Sequence, residues 1–453
     1  MTAGPTPVGT GGDQRPWRPT AAWLGVTGLG ACIALVGVVA GRPDAVALVV
    51  PLLVAAALGS ARRRVRPSPV TLERLPDAPA GHHLARVRAP AGHDVRLRVS
   101  LPRHRPTHAL LPAGATAIAD LSSARTGPLE LFRLDWAGVA DGFETAPATR
   151  PADRVVVEPG AGALGALPLP DHLVGLTGAH PSRRRGDGDE LHDVAPFRSG
   201  DRLPRIDWRV TARRGTSDPR IGTQLYVRRT QAPAEAVVMI VLDSRDDVGV
   251  DVRTWSGGRP GSDTEPTSLD VARRAAATLA RAYLEQGDRV GLADLGTRRR
   301  AIPPGAGRRH LQRVTHALAL AAPEGEPARL RRAPQVPTGA LVVVTSTFLD
   351  DEAAAAAQLW AAAGHRVLAV DVLTTPHVAD LPPAETLAAR LVLVERAARL
   401  RRLSAAGIAV VTWHAARTTG DAAGTDADGR GDASLATARA ELAILSRRPR
   451  VAR

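Results

Sequence analysis

From Ala21 to Ala40 the chain reads AAWLGVTGLGACIALVGVVA, a run without a single charge. At the rise of an α-helix, about 20 such residues span the hydrocarbon core of a bilayer. Gly41-Arg42-Pro43-Asp44 follows as a polar turn, and Ala45–Gly59 is a second apolar run, shorter and interrupted by Pro51. A run of about 15 residues crosses only with little tilt or by drawing in its flanks. This order predicts an N-terminal tail and a two-helix transmembrane hairpin over residues 1–66. The alternative is a secretory signal peptide, with Arg15 and Arg18 as its basic region and Val38-Val39-Ala40 as its cleavage site. Against it, the first run exceeds a usual signal core, a second run follows at once, and Ala61-Arg62-Arg63-Arg64-Val65-Arg66 closes that run as a stop-transfer cluster. Arginine on both flanks predicts that both ends and the soluble part are cytoplasmic, in a multi-pass protein of the cell membrane.

The remaining chain is long enough for further domains with cores of their own. Net charge is +14, yet every basic residue is arginine and lysine is absent. Complete replacement of one basic residue by the other points to a coding bias, which weakens any reading of the charge as a nucleic-acid signal. The absence of lysine also excludes a Walker A phosphate loop, a Schiff base and a Ser-x-x-Lys acylase. Cys32 is the single cysteine and lies in the first apolar run, so no internal disulfide and no Cys-x-x-Cys site exists.

Residues 67–154 read as a small β-sandwich-like domain. Val95, Leu97 and Val99 alternate with Arg96 and Arg98, and Phe132, Leu134 and Trp136 alternate with Arg133 and Asp135. His82-His83 lacks a third ligand at metal-site spacing and reads as a pair of exposed strand-edge histidines. Residues 155–235 begin with a strand at Val155–Val157. Gly160-Ala161-Gly162-Ala163-Leu164-Gly165 then has the form of a dinucleotide fingerprint. Leu167-Pro168-Leu169-Pro170 forbids the helix that a pyrophosphate would need, so this is a loop.

Beyond Ala236 strand and helix alternate, which predicts a mostly parallel, doubly wound α/β (Rossmann-like) domain over residues 236–415. Its first strand, Ala236–Leu242, is apolar throughout. The expected helices are Ser268–Glu285, with a capping box from Thr267 and Asp270, then Arg308–Leu320, Asp351–Ala363 and Ala384–Leu403. Expected strands lie near Val290–Ala293, Arg300–Ile302, Leu341–Val344, Val367–Val372 and Ile408–Trp413. Residues 416–453 read as a flexible tail with a short helix at Leu435–Leu445 and an arginine-rich tip.

One segment is specific enough to carry a resemblance. Gly188-Asp189 and Gly200-Asp201 are followed by Arg205-Ile206-Asp207-Trp208 and by Thr211-Ala212-Arg213. In order and type this resembles the signature of the bacterial domain-of-unknown-function family 58. The resemblance implies a membrane hairpin, an intervening β domain and a von Willebrand factor A-like (vWA-like) domain beginning at the strand that ends in Asp243. It also implies a link to MoxR-type AAA+ ATPases and to other membrane proteins. Within the signature, Asp207 and Arg213 read as a structural pair and Trp208 as a buried anchor; a partner surface is the alternative.

A complete vWA-like domain holds a divalent cation through Asp-x-Ser-x-Ser, a later Thr and a later Asp, all oxygen ligands. Here the loop reads Asp243-Ser244-Arg245-Asp246-Asp247. A guanidinium at the first serine position repels a cation and can pair instead with Asp243 or Asp247. Gly305-Ala306-Gly307 offers no hydroxyl, Thr345-Ser346 stands where Ser-Asp is common in the family, and Asp350 and Asp351 suit a helix start. Asp243 and Asp247 are therefore remnants of a degenerate site, and no metal or cofactor is expected. The expected function is a non-enzymatic, membrane-anchored interaction scaffold whose sheet edge docks a protein, working in cell-envelope or protein-complex maturation. The alternatives are a metal-dependent ligand binder and an unrecognised hydrolase, although no G-x-S-x-G elbow, His-Glu-x-x-His helix or thiol nucleophile is present. Nucleic acid is not expected as a partner, because aromatics make up only 3% of the chain and stacking platforms are scarce.

Overall fold

The computed structural model describes residues 17–61, 69–76, 78, 81–100, 105–140, 142–175, 178–215, 217–218, 222–255, 265–297, 300–324, 333–413 and 427–447. Arg15, the arginine cluster at 62–66, residues 414–426 and the tip from 448 lie outside them. The chain divides into two units, one ending at Val155 and the other comprising most of the chain from Val156 onward.

The first unit opens with β1 (Trp17–Pro19), α1 (Ala21–Val39) and α2 (Pro43–Ala61). α1 is long and apolar enough to cross a membrane by length and composition, whereas the apolar part of α2, Pro43–Ala55, is shorter. The turn is tighter than the sequence suggested: Gly41 adopts a positive φ and α2 already begins at Pro43, a residue suited to a first helical position. Pro51 leaves the helix continuous. Gly30 and Gly37 are buried one above the other on α1, and a Cβ at Gly37 would lie 3.0 Å from Val46 Cγ2. Small residues at that spacing let two helices approach closely without a hydrophobic driving force. The outward faces carry Leu24, Leu29, Leu35, Val39, Leu48 and Leu58, all exposed.

Ten strands follow, β2 (Thr71–Leu75), β3 (His82–Arg88), β4 (Asp94–Ser100), β5 (Thr107–Leu111), β6 (Thr116–Ser122), β7 (Gly127–Leu131), β8 (Arg133–Ala140), β9 (Phe143–Thr145), β10 (Ala148–Arg150) and β11 (Asp153–Val157). β1, β9, β8, β4 and β5 form one antiparallel sheet in that order, with β10 on β8; β2, β3 and β6 form another. Leu72, Val87, Val95, Leu97 and Leu134, drawn from both sheets, share one core, while Arg96 and Arg98 face water. The alternation at 95–99 thus did what period-two patterning requires. Around Phe132 it did not give one strand. Phe132 is fully buried with φ +57°, and the chain turns there from β7 into β8. His82 and His83 open the central strand of the three-stranded sheet rather than an edge. His82 meets Asp120 at 2.9 Å, and burial, aided by Arg74 and His82, lowers the pKa of His83.

The second unit contains β12 (His180–Pro196), α3 (Trp208–Arg214), the short β13 (Ser217–Asp218) and β14 (Gly222–Thr223), and β15 (Tyr226–Ala234). Then come β16 (Val237–Leu242), α4 (Ser268–Glu285), β17 (Arg289–Asp294), β18 (Ile302–Gly305), α5 (Arg308–Leu320), β19 (Leu341–Ser346), α6 (Glu352–Ala362), β20 (Val367–Asp371), α7 (Pro383–Ala405), β21 (Ala409–Thr412) and α8 (Ala427–Ser446). The large sheet runs β18-β17-β16-β19-β20-β21, parallel except for β18. Successive residues of β16 feed two cores: Val238, Ile240 and Leu242 pack with α4, α5 and α8, Met239 and Val241 with α6 and α7. An all-apolar strand is the direct consequence of helices on both faces. The capping box closes as expected, with Asp270 Oδ2 accepting from Thr267 N at 3.0 Å.

The C-terminal tail is corrected. α8 starts well before Leu435, and Ala438, Leu442 and Leu445 belong to the core of this unit. Glu441 accepts a hydrogen bond from Thr412 N at 2.8 Å, so the helix closes onto the last strand. The glycine-rich segment is a loop, and its role is packing. Gly162 N donates to Thr278 Oγ1 at 3.1 Å, and a Cβ there would come within 2.5 Å of Leu435 on α8.

Candidate functional site

Asp243 leaves the end of β16, where loops gather at the C-terminal edge of a parallel sheet. Its carboxylate accepts twice from Arg245, from Nε at 2.8 Å and from Nη2 at 2.9 Å, and Ser346 Oγ donates to its Oδ2 at 2.7 Å. The same guanidinium reaches Asp350 at 2.7 and 3.0 Å and Glu352 at 2.9 Å. Arg245 is only 2% exposed at its side chain. A planar fork of donors satisfied by three carboxylates occupies the middle of the loop cluster. Burial disfavours its charge, but Asp243 and Asp350 outweigh this and the net pKa direction is upward. Of the two partners expected for Arg245, Asp243 is the one engaged, through both carboxylate oxygens.

Asp350, expected only to open a helix, is delivered to Arg245 by a bend at Phe348, a buried non-glycine residue with φ +52°. Such a conformation costs about 1–3 kcal/mol and persists where its surroundings over-determine it. Here Ser346 Oγ accepts from Phe348 N at 3.0 Å. Asp351 turns the other way, to Arg399 at 2.7 Å and Arg402 at 3.1 Å. Arg396 pairs with Asp371 and donates to Thr347 O at 2.7 Å. Ser244 Oγ donates to Asp294 at 2.7 Å. Among the described residues, no group of three His, Cys, Asp or Glu side chains could hold a metal ion.

The signature residues assemble elsewhere, on the ribbon of β12 and β15 that precedes β16. Asp201 takes hydrogen bonds from Arg198 N at 2.8 Å and Arg229 Nη2 at 3.0 Å, which hold its carboxyl below its ordinary range, the arginine most strongly. Gly200 supplies the positive φ of that turn. Arg205 donates to Thr230 Oγ1 at 2.8 Å and to Gly186 O at 3.1 Å. Asp207 caps α3 through Arg209 N at 3.1 Å and Val210 N at 3.0 Å, and Thr211, buried, accepts from Tyr226 N at 2.9 Å. The expected Asp207–Arg213 pair is replaced by this cap and by Arg228 at 4.0 Å. The expected buried anchor is overturned: Trp208 is 68% exposed. The polar signature residues are turned into the ribbon, which leaves Trp208, Arg209, Ala212 and Arg213 facing water.

Residues 193–390 match the family described as protein of unknown function DUF58. The chain carries a DUF58 domain. No curated protein and no solved structure matches the chain. The DUF58 match runs from β12 into α7, so it contains both Trp208 and Arg245 and omits the apolar helices, the antiparallel sheets of the first unit and α8.

Inside the DUF58 domain the loop at β16 holds more negative charge than one guanidinium balances. Asp246 shows the consequence. Burial first, then Asp243 and Asp350, push its carboxyl up to about 6, against the hydrogen bond from Thr347. Asp294 is likewise raised by burial, despite accepting from Ser244 and Gly296.

Proposed function

We propose that this protein is a non-enzymatic, membrane-anchored cytoplasmic scaffold that docks a MoxR-type AAA+ ATPase, and other membrane proteins, in cell-envelope or protein-complex maturation. The observation that carries the reading is the exposure of Trp208 on a helix whose base is fixed by Asp207 and Thr211. A large aromatic held in water on a rigid support, beside the exposed Arg209 and Arg213, has the composition of a protein-binding hot spot. The large sheet with helices on both faces supports a vWA-like domain, and two antiparallel sheets about one core support a β-sandwich. In this reading Arg245 stands in permanently for a cation, and the sheet edge is stabilising rather than ligand-binding.

The start of α1 supports the hairpin over a cleaved signal. Residues just before it form β1, paired with Phe143–Thr145, and Thr20 Oγ1 donates to Gly142 O at 2.9 Å. Cleavage after Ala40 would strip an edge strand from the antiparallel sheet. α2 runs back beside α1, so both outer ends of the pair lie on one side.

The test is capture of a purified MoxR-type ATPase from the same source by the full-length protein in detergent. Trp208→Ala is expected to abolish capture while melting like the parent. Undiminished capture by that variant would remove the signature face from the reading.

A further inference from the structure

We infer that the outer face of α7 pairs in parallel with the same helix of a second copy of this chain. The helix packs inward through Ala389, Arg396, Leu400 and Leu403, which anchor it to the sheet and to Asp371. Directly opposite, Leu387, Leu391 and Val394 are 62%, 55% and 64% exposed. Exposed leucine alone is ordinary on a protein surface. A regular row is not: Ala384, Leu387, Leu391, Val394 and Ala398 are spaced three and four residues apart in turn. That is the seam of a two-stranded coiled coil, with alanine at the ends and the bulky side chains in the middle.

The charges beside the seam select the occupant and its direction. In a parallel pair, the residue flanking one side of the seam meets the residue five positions later on the partner helix. Arg390 and Glu395 stand at those two positions, both exposed. Two-fold symmetry makes the Arg390–Glu395 pair twice, once on each side. An antiparallel pair would face both with alanine, Ala397 and Ala388. Self-association in parallel therefore satisfies both the apolar row and its charged border. The seam extends only about 22 Å, from the helical rise over its 15 residues. A contact of that length is weak in dilute solution and gains from confinement, which raises effective concentration.

The test is disulfide trapping of the full-length protein in vesicles, in a Cys32→Ser background. Leu391→Cys faces its own copy across a parallel seam and is expected to give a dimer band several-fold stronger than Glu385→Cys, which lies off it. Arg390→Glu in the Leu391→Cys protein should weaken the band, and adding Glu395→Arg should restore it, even though that second change also removes the 3.9 Å contact of Glu395 with Arg399 in the same helix. Equal bands at 391 and 385, a product with a different protein only, or no recovery in the charge-swapped protein would overturn the inference. ATPase capture does not enter this readout, so the two proposals fail independently.

Discussion

The loop Asp243–Asp247 and the helix Trp208–Arg214 both set arginine beside aspartate, yet the first turns its arginine inward and the second outward. At the loop, Arg245 is desolvated and three carboxylates plus Ser346 meet it or its partner. At the helix, Asp207 caps the backbone instead, and the arginines beside Trp208 remain in water. A charge that has surrendered its water must keep every partner or the fold is penalised. A charge still hydrated can be given to another molecule. The difference separates a desolvated, internally paired cluster from an exposed, hydrated face within one DUF58 domain.

Removing Arg245 should show the largest effect. Arg245→Ala leaves Asp243 buried without its cation and should cost about 3–5 kcal/mol, read as a fall in denaturant midpoint. An unchanged midpoint would mean that the cluster contributes nothing net. Asp246→Asn should act in the opposite direction. A carboxyl raised in the folded state binds its proton more tightly there than when unfolded. The parent therefore loses stability as pH climbs from the ordinary 3.8 to about 6, and carries the whole penalty above that. The variant should gain up to about 3 kcal/mol above that window and nothing below it. Parallel stability–pH curves for parent and variant would refute the charge imbalance described for the loop. On the ribbon side, Asp207→Ala removes a helix cap and should cost about 1 kcal/mol. Trp208→Ala should fall within about 0.5 kcal/mol of the parent, as exposed substitutions do. A loss of several kcal/mol there would mean that the ring is buried after all and would erase the contrast.

Much of the α/β architecture was legible because its signals are local. Thr267 and Asp270 announce α4, and its apolar period carries the helix to Glu285; the unbroken run after Ala236 announces a strand covered on both faces. The site was less legible because its partners are remote. Arg245 and Asp350 are 105 positions apart, and the bend that joins them rests on a phenylalanine in a left-handed conformation that no pattern marks. Trp208 misled for a different reason. Large aromatics are usually mostly buried, and exposure at a surface helix leaves no periodic trace in seven residues. α8 is longer than its sequence suggests, because Gly, Asp and Ala before Leu435 resemble a linker, while its helix is secured by packing of Ala438 and Leu442 rather than by propensity.

The contrast is tested most directly by placing a photo-crosslinking amino acid at position 208 and, separately, at position 247 of the full-length protein in its native membrane. Position 208 lies on the outward helix and position 247 in the inward-turned loop. The expected result is an adduct with a MoxR-type ATPase from 208 and none from 247. An adduct from 247 with none from 208 would return recognition to the sheet edge and contradict the assignment made here.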